Sequence, residues 1–178
     1  ELNDTYSKIA EKNEEIARNV KWEIDEFQWS NFFNYGDGNS INFRKLNGIV
    51  GIFGKSYSGK SSIVDSILYT IFNTTSKNER KNVNVINQNE ENGSGEIVIT
   101  VGDDQYYINR KLAKYIKRLK GEESLEAKTN LEFYKIEGAT GEKVSLNGLS
   151  RNETDRNIRK MFGTIDDFLL TSMSSQLD

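Results

Sequence analysis

Cysteine, histidine and proline are all missing from this chain of 178 residues. Without cysteine there is no disulfide framework and no thiolate metal site. Without histidine there is no Ser-His-Asp triad and no His-ligated zinc within the chain. The absence of proline beside abundant asparagine fits an AT-rich coding sequence better than any chemical demand. Long apolar runs are missing too. None approaches the ~20 residues that a membrane helix needs, and nothing resembles a signal peptide, so a cytoplasmic location is the default expectation. The formal net charge of −3 gives no global pull toward nucleic acid or membrane, so any such contact must come from a local patch. What is present is 35% hydrophobic and 29% charged, enough apolar material for one core, on the polar side for a globular domain.

Residues 1–20 are polar, with Ile9, Ile16 and Val20 widely spaced, and read as a solvated helix or linker. From Lys21 the pattern changes to period two. Trp22, Ile24, Glu26 and Gln28 fall on one face and Glu23, Asp25, Phe27 and Trp29 on the other, so neither face is purely apolar. Gly36-Asp37-Gly38-Asn39 predicts a turn, and the alternation over Ser40 to Leu46 completes a hairpin. The short apolar run Ile49-Val50-Gly51-Ile52-Phe53 reads as a buried strand. The apolar positions Ile63, Val64, Ile67, Leu68, Ile71 and Phe72 make a helical stripe over Ser61–Phe72, ended by Asn73-Thr74-Thr75-Ser76. Asn73 to Glu91 reads as loop. Glu96–Val101 and Gln105–Arg110 flank Gly102-Asp103-Asp104 and predict a second hairpin. Two more strands are expected over Leu131–Ile136 and Lys143–Leu146, and helices over Arg151–Phe162 and Asp166–Ser175.

The strongest chemical signal is Gly54-Lys55-Ser56-Tyr57-Ser58-Gly59-Lys60-Ser61, the pattern GxxxxGK[ST]. Backbone N–H groups must turn inward around a β-phosphate, and glycine permits that turn. A helix opening at the end of the loop aims its free N–H groups and positive dipole end at the same anion. Lys60 is placed to reach the β- and γ-phosphates, and the Ser61 hydroxyl to ligate Mg²⁺. The loop lies between an apolar run and an amphipathic helix, which is the arrangement the motif requires. ATP and Mg²⁺ are the expected ligands. The dinucleotide fingerprint GxGxxG is not matched, because two residues separate Gly51 from Gly54.

The loop sits in a longer pattern. Asn47 to Gly54, with Gly59-Lys60-Ser61-Ser62-Ile63-Val64-Asp65-Ser66-Ile67, resembles the SMC-like DNA-repair ATPases: SbcC, its archaeal and eukaryotic counterpart Rad-fifty, and related phage recombination subunits. Trp29 to Gly36 resembles the family's first-strand motif, Gln105 to Arg110 its Tyr-x-Ile-x-Arg strand, and Phe168-Leu169 with Gln176 the approach to the Q-loop. The resemblance covers Lys21 to Asp178. It implies an α/β fold, a P-loop NTPase of the ABC-ATPase head type with an antiparallel β-rich subdomain and a parallel component. It implies the N-terminal lobe of a head that a long coiled coil splits, so the chain is expected to be part of a longer protein. The implied nucleotide contacts are Gly54, Lys55, Ser56, Tyr57, Ser58, Gly59, Lys60, Ser61 and Ser62, with Asn34 from the first-strand segment. Lys60 and Gln176 carry the implied catalytic roles, and Ser61 and Gln176 the metal. The implied partners are DNA, the chain's own C-terminal lobe, a second copy joined through ATP, and an SbcD-type nuclease, in a bacterial or phage-infected cytoplasm. The loop departs from the family's usual Gly-x-Asn-Gly-x-Gly-Lys pattern at Ser56 and Tyr57. A nucleotide kinase and a non-enzymatic nucleotide-binding module stand as rivals.

Arg110, Lys111, Lys114, Lys117, Arg118 and Lys120 form the densest positive run. Leu112, Tyr115, Ile116 and Leu119 have helical spacing, so the run reads either as a basic amphipathic helix or as a strand extension. These six residues are the candidate DNA contacts. Glu122, Glu123 and Glu126 lie close enough to make the run simply a solvated face.

Overall fold

The computed structural model describes residues 22–56, 58–76 and 82–172, with side chains as far as Phe168. The expectations for residues 1–20, for Tyr57 and for Gln176 lie outside the described residues. Six strands form one sheet in the order β2-β1-β3-β4-β5-β6: β1 Trp22–Ser30, β2 Asn39–Asn42, β3 Asn92–Val101, β4 Asp104–Leu119, β5 Glu122–Ile136 and β6 Lys143–Ser145. Every neighbouring pair is antiparallel. The antiparallel subdomain is therefore as the sequence implies, while no parallel pair occurs among the described residues. Helices α1 (Lys60–Phe72), α2 (Arg151–Phe162) and α3 (Ile165–Ser172) cover one face.

The mixed faces of β1 have a simple cause. The register against β3 shifts between Ile24 and Glu26, so Asp25 is an extra residue. Trp22 and Ile24 pack on the core before the bulge, and Phe27 and Trp29 are buried after it. The bulge resets the period-two phase, and both apolar pairs reach the same side of the sheet. The Asp25 carboxylate turns away and accepts hydrogen bonds from Arg44 (2.6 Å), Thr100 (2.6 Å) and Gln105 (3.3 Å).

The core forms where Phe27, Phe32, Ile97, Ile99, Ile108 and Phe133 meet Ile67, Leu68, Ile71 and Phe72 of α1 and Ile158 and Phe162 of α2. Each such side chain, fully buried, stabilises the fold by about 1.5–3 kcal/mol. Helix α1 stops at Asn73, whose left-handed backbone (φ 58°) lets its N–H bond the Tyr69 carbonyl. Helix α2 starts at Ser150, whose side chain accepts the Glu153 N–H, while the Glu153 carboxylate accepts the Leu149 N–H at 2.8 Å. The basic run is strand, not helix. Paired one to one with β5 from Gln105 to Leu119, its backbone is committed to a ladder, and the helical spacing of its apolar residues is coincidental.

Strand β3 leaves the ladder at Asn92 opposite Ala113, so Lys114–Leu119 and Glu122–Ala127 continue alone as a two-stranded ribbon. Its turn places Lys120 (φ 51°) and Gly121 (φ 82°) in the left-handed region, as a tight hairpin turn of matching twist requires.

The expected buried strand before the P-loop is not seen. Residues Ile49 to Phe53 form no strand and are not buried: Ile49 is 104% and Phe53 94% exposed. A strand apolar on both faces needs pairing partners and cover on each side, and no described residue supplies them.

Candidate functional site

The P-loop is built from the start of α1 backwards. Gly59 caps the helix with φ 91°, a conformation that side chains rarely adopt. A Cβ there would also collide with the Asn34 side-chain amide, so Asn34 lies directly against the loop. Gly54 is similarly confined, since its Cβ would stand 2.8 Å from Ser58 Oγ. Lys60 Nζ folds back and donates to the carbonyls of Gly54 (2.8 Å) and Lys55 (2.7 Å). The ammonium thus sits within the curve of the loop, where a phosphate would place its negative charge. Ser61 is exposed in the first turn of α1, and its hydroxyl is a hard oxygen of the kind Mg²⁺ takes together with phosphate oxygens. A cradle closed to Cβ atoms, helix N–H groups, a mobile cation and a hard oxygen fit a nucleotide's phosphates and their metal. Gly54, Lys55, Ser56, Ser58, Gly59, Lys60, Ser61 and Ser62 are therefore brought together with Asn34.

Behind the loop lies a support that sequence reasoning missed. The segment after β1 makes two left-handed steps, at Asn31 (φ 56°) and Phe33 (φ 55°). It swings Tyr35 under the helix start, where the Tyr35 hydroxyl donates to the Gly59 carbonyl at 3.2 Å. Burial pushes the Tyr35 phenol above its ordinary pKa, so it remains a protonated donor. Asn87 Nδ2 donates to the Tyr35 carbonyl at 3.0 Å, and the Asn87 N–H to the Asn31 carbonyl at 2.8 Å. Tyr35 was within reach of the sequence, next to Asn34 in the first-strand segment. Asn87 carried no signal, because its role depends on a contact across 52 positions.

The six candidate DNA contacts separate. Arg110 must be withdrawn: it is fully buried, and its guanidinium donates to the carbonyls of Thr70 (3.0 Å) and Ile71 (3.4 Å) and to Asp155 (2.7 Å). It alternates inward with Ile108 and Leu112, so β4 gives it no path to a phosphate. Burial lowers its pKa, and the Asp155 carboxylate opposes that shift. Lys114 Nζ is tied to the carbonyls of Asn87 (2.9 Å) and Gln88 (3.2 Å). Lys117 pairs with Glu126 (3.1 Å) and Arg118 with Glu123 (2.7 Å) across the ribbon. Lys111 and Lys120 are exposed. Asp104, at the start of β4, accepts from Lys135 Nζ and the Gly138 N–H, both at 3.0 Å, which is a structural use.

The AAA domain family matches residues 27–177, and the chain belongs to it. The family match and the relatives below support the resemblance to SMC-like P-loop ATPases of the Rad50 type. It is 36% identical over 186 aligned positions to uncharacterized protein R555 of Acanthamoeba polyphaga mimivirus, an alignment that takes in 96% of this chain and 13% of the relative. It is 32% identical over 92 residues to the DNA double-strand break repair Rad50 ATPase of Sulfolobus acidocaldarius, covering 51% of this chain and 10% of that protein. The chain therefore spans about an eighth or less of the length of these curated relatives. A solved structure from work on ATP-driven dimerization and DNA stimulated activation of SMC ATPases shares the fold, with a TM-score of 0.51 at 18% identity over 82% of each chain. Among the described residues, no helix is long and apolar enough to cross a membrane.

Proposed function

We propose that this chain is the ATP-binding lobe of a DNA double-strand-break repair or recombination ATPase, in which ATP joins two heads and their closure is coupled to a nuclease partner. The observation that carries the reading is the left-handed Gly59 at the mouth of α1, with Lys60 and Ser61 in the first turn. That geometry grips a triphosphate and places a cation and a hydroxyl beside it. The Rad50 relative's stated role in double-strand-break repair supports the DNA assignment.

The lobe has a defined share of the chemistry. Phosphoryl transfer to water needs positioning and charge stabilisation more than covalent participation. Backbone N–H groups of the loop orient the phosphates, and Lys60 swings from its carbonyl partners to the β- and γ-oxygens. Ser61 would hold the metal, which when bound would supply neutralisation of phosphate charge. Gln176 is proposed as the metal and γ-phosphate contact from the Q-loop. The base for the attacking water would come from the C-terminal lobe. The exposed run Ile49 to Phe53 supports that second lobe, because a P-loop strand completed by neighbours would cover it. Lys111 and Lys120 are the DNA contacts retained in this reading.

Titration calorimetry tests it. The parent should bind ATP with Mg²⁺, Lys60→Ala should abolish binding, and Ser61→Ala should weaken mainly the Mg²⁺-dependent part. The lobe alone should turn over little ATP. Binding by Lys60→Ala as tight as the parent's would refute the site.

A further inference from the structure

We infer that Tyr35 is a positioning residue for the phosphate loop, held in place by Asn87; the inference rests on the nucleotide reading of the site. The Gly59 carbonyl accepts two hydrogen bonds, from the Ser62 N–H at 3.0 Å and from the Tyr35 hydroxyl at 3.2 Å. The first comes from the helix that the loop opens into. The second comes from a separate segment, 24 positions earlier in the chain. Together they fix the plane of the peptide joining Gly59 to Lys60. In a trans peptide the N–H points opposite to the C=O. Holding the Gly59 carbonyl toward Tyr35 therefore aims the Lys60 N–H away from Tyr35, to the side where the loop must present donors. Gly59 cannot hold this orientation by itself, because glycine at φ 91° is the least restrained residue in the loop.

Tyr35 is itself placed from three directions. Its ring meets Trp29 edge to face at 5.3 Å, its N–H donates to the Phe32 carbonyl at 2.9 Å, and its carbonyl accepts Asn87 Nδ2 at 3.0 Å. Asn87 is anchored in turn through its N–H on Asn31 and its Oδ1 on the Asn89 N–H, 3.0 Å away. Neither residue needs to touch nucleotide. Both act by pre-orienting a backbone donor that does, which lowers the ordering cost of binding.

Tyr35→Phe removes the hydroxyl and keeps the ring on Trp29. ATP affinity should fall by about three- to tenfold, the effect of one neutral hydrogen bond. Because the donor faces phosphate, inorganic triphosphate should lose affinity by the same factor. Calorimetric stoichiometry should stay near one ATP per chain, which separates a positioning role from loss of folded protein. Asn87→Ala should act in the same direction. The double variant should be little worse than Tyr35→Phe alone, since both changes free the same peptide. Parent-like ATP and triphosphate affinity in Tyr35→Phe, with binding still abolished by Lys60→Ala, would overturn the inference and leave the site intact. A drop in stoichiometry at unchanged affinity would overturn it too, by making Tyr35 a folding residue. A parent that binds neither ATP nor triphosphate would overturn the nucleotide reading itself.

Discussion

Truncating Arg110 to alanine should be among the most damaging single changes in the sheet. The Arg110 side chain is 0% exposed and Asp155 8%. Removing the guanidinium leaves the carboxylate buried beside Arg151, whose Nε stands 3.9 Å away on a side chain 41% exposed. It also strips donors from the Thr70 and Ile71 carbonyls at the end of α1 and takes a cation from the Tyr69 ring, whose centroid is 5.9 Å away. Breaking one side of a buried pair costs about 3–5 kcal/mol. Domains of this kind have only about 5–15 kcal/mol in total. With a urea dependence of about 2 kcal/mol per molar, the unfolding midpoint should fall by roughly 1.5–2.5 M. The double variant Arg110→Met with Asp155→Leu removes both charges, and should recover most of the loss. Urea unfolding followed by circular dichroism measures all three. A midpoint shift below about 0.3 M for Arg110→Ala, on the same scale, would refute the buried-pair reasoning. So would a double variant as unstable as the two single losses added together.

Gly59→Ala should abolish ATP binding and cost about 1–2 kcal/mol of stability; adding Asn34→Ala restores room but not the backbone angle, so calorimetry should show at most partial rescue. Burial alone would raise the Asp25 pKa, but hydrogen bonds from Arg44, Thr100 and Gln105 bring it below the usual 3.8. Its contribution is therefore present above the unfolded-state pKa and lost as pH falls through the folded value, so the stability gap between the parent and Asp25→Asn should close in acid unfolding below about pH 4. A gap that persists at pH 2 would count against it. In the full-length protein, Glu123→Gln with Glu126→Gln should free Arg118 and Lys117, raise DNA affinity and steepen its salt dependence by about one unit for each phosphate gained; an unchanged slope would show that the ribbon does not face DNA. Ile49→Ser with Phe53→Ser should reduce self-association of the isolated chain in sedimentation velocity, since it removes an exposed apolar patch.

Local signals carried the sequence reading where they sufficed. Lys60–Phe72 and Arg151–Phe162 each showed an apolar stripe bounded by residues suited to capping, and both helices lie within a residue of where the pattern put them. The P-loop was legible because its chemistry constrains consecutive residues. The failures were non-local. Strand β1 looked ambiguous because a bulge reset its phase at Asp25, and a bulge is visible only against the partner strand. Arg110 looked like a surface cation because its charge is matched by Asp155, 45 positions later. Lys117 and Arg118 looked available because only the hairpin register puts Glu123 opposite Arg118 and Glu126 diagonal to Lys117. Ile49 to Phe53 read as buried because apolar composition records what a strand requires, not whether these residues alone provide it.

The ribbon beyond β3 behaves as a cantilever. Six paired positions, from Lys114 opposite Ala127 to Leu119 opposite Glu122, extend about 20 Å at the usual strand rise. Its root is where Lys114 grips the Asn87 and Gln88 carbonyls and where the Lys114 N–H donates to Glu91. β4 and β5 carry a sideways load on the tip into the six-stranded sheet, and the Lys114 contacts pass part of it to the 87–91 segment. That segment also carries the Asn87 amide that holds Tyr35. Lys114 thus ties the arm to the phosphate loop's support by a route beside the sheet, and Lys114→Ala would remove its side-chain bonds to Asn87 and Gln88 while leaving its N–H on Glu91.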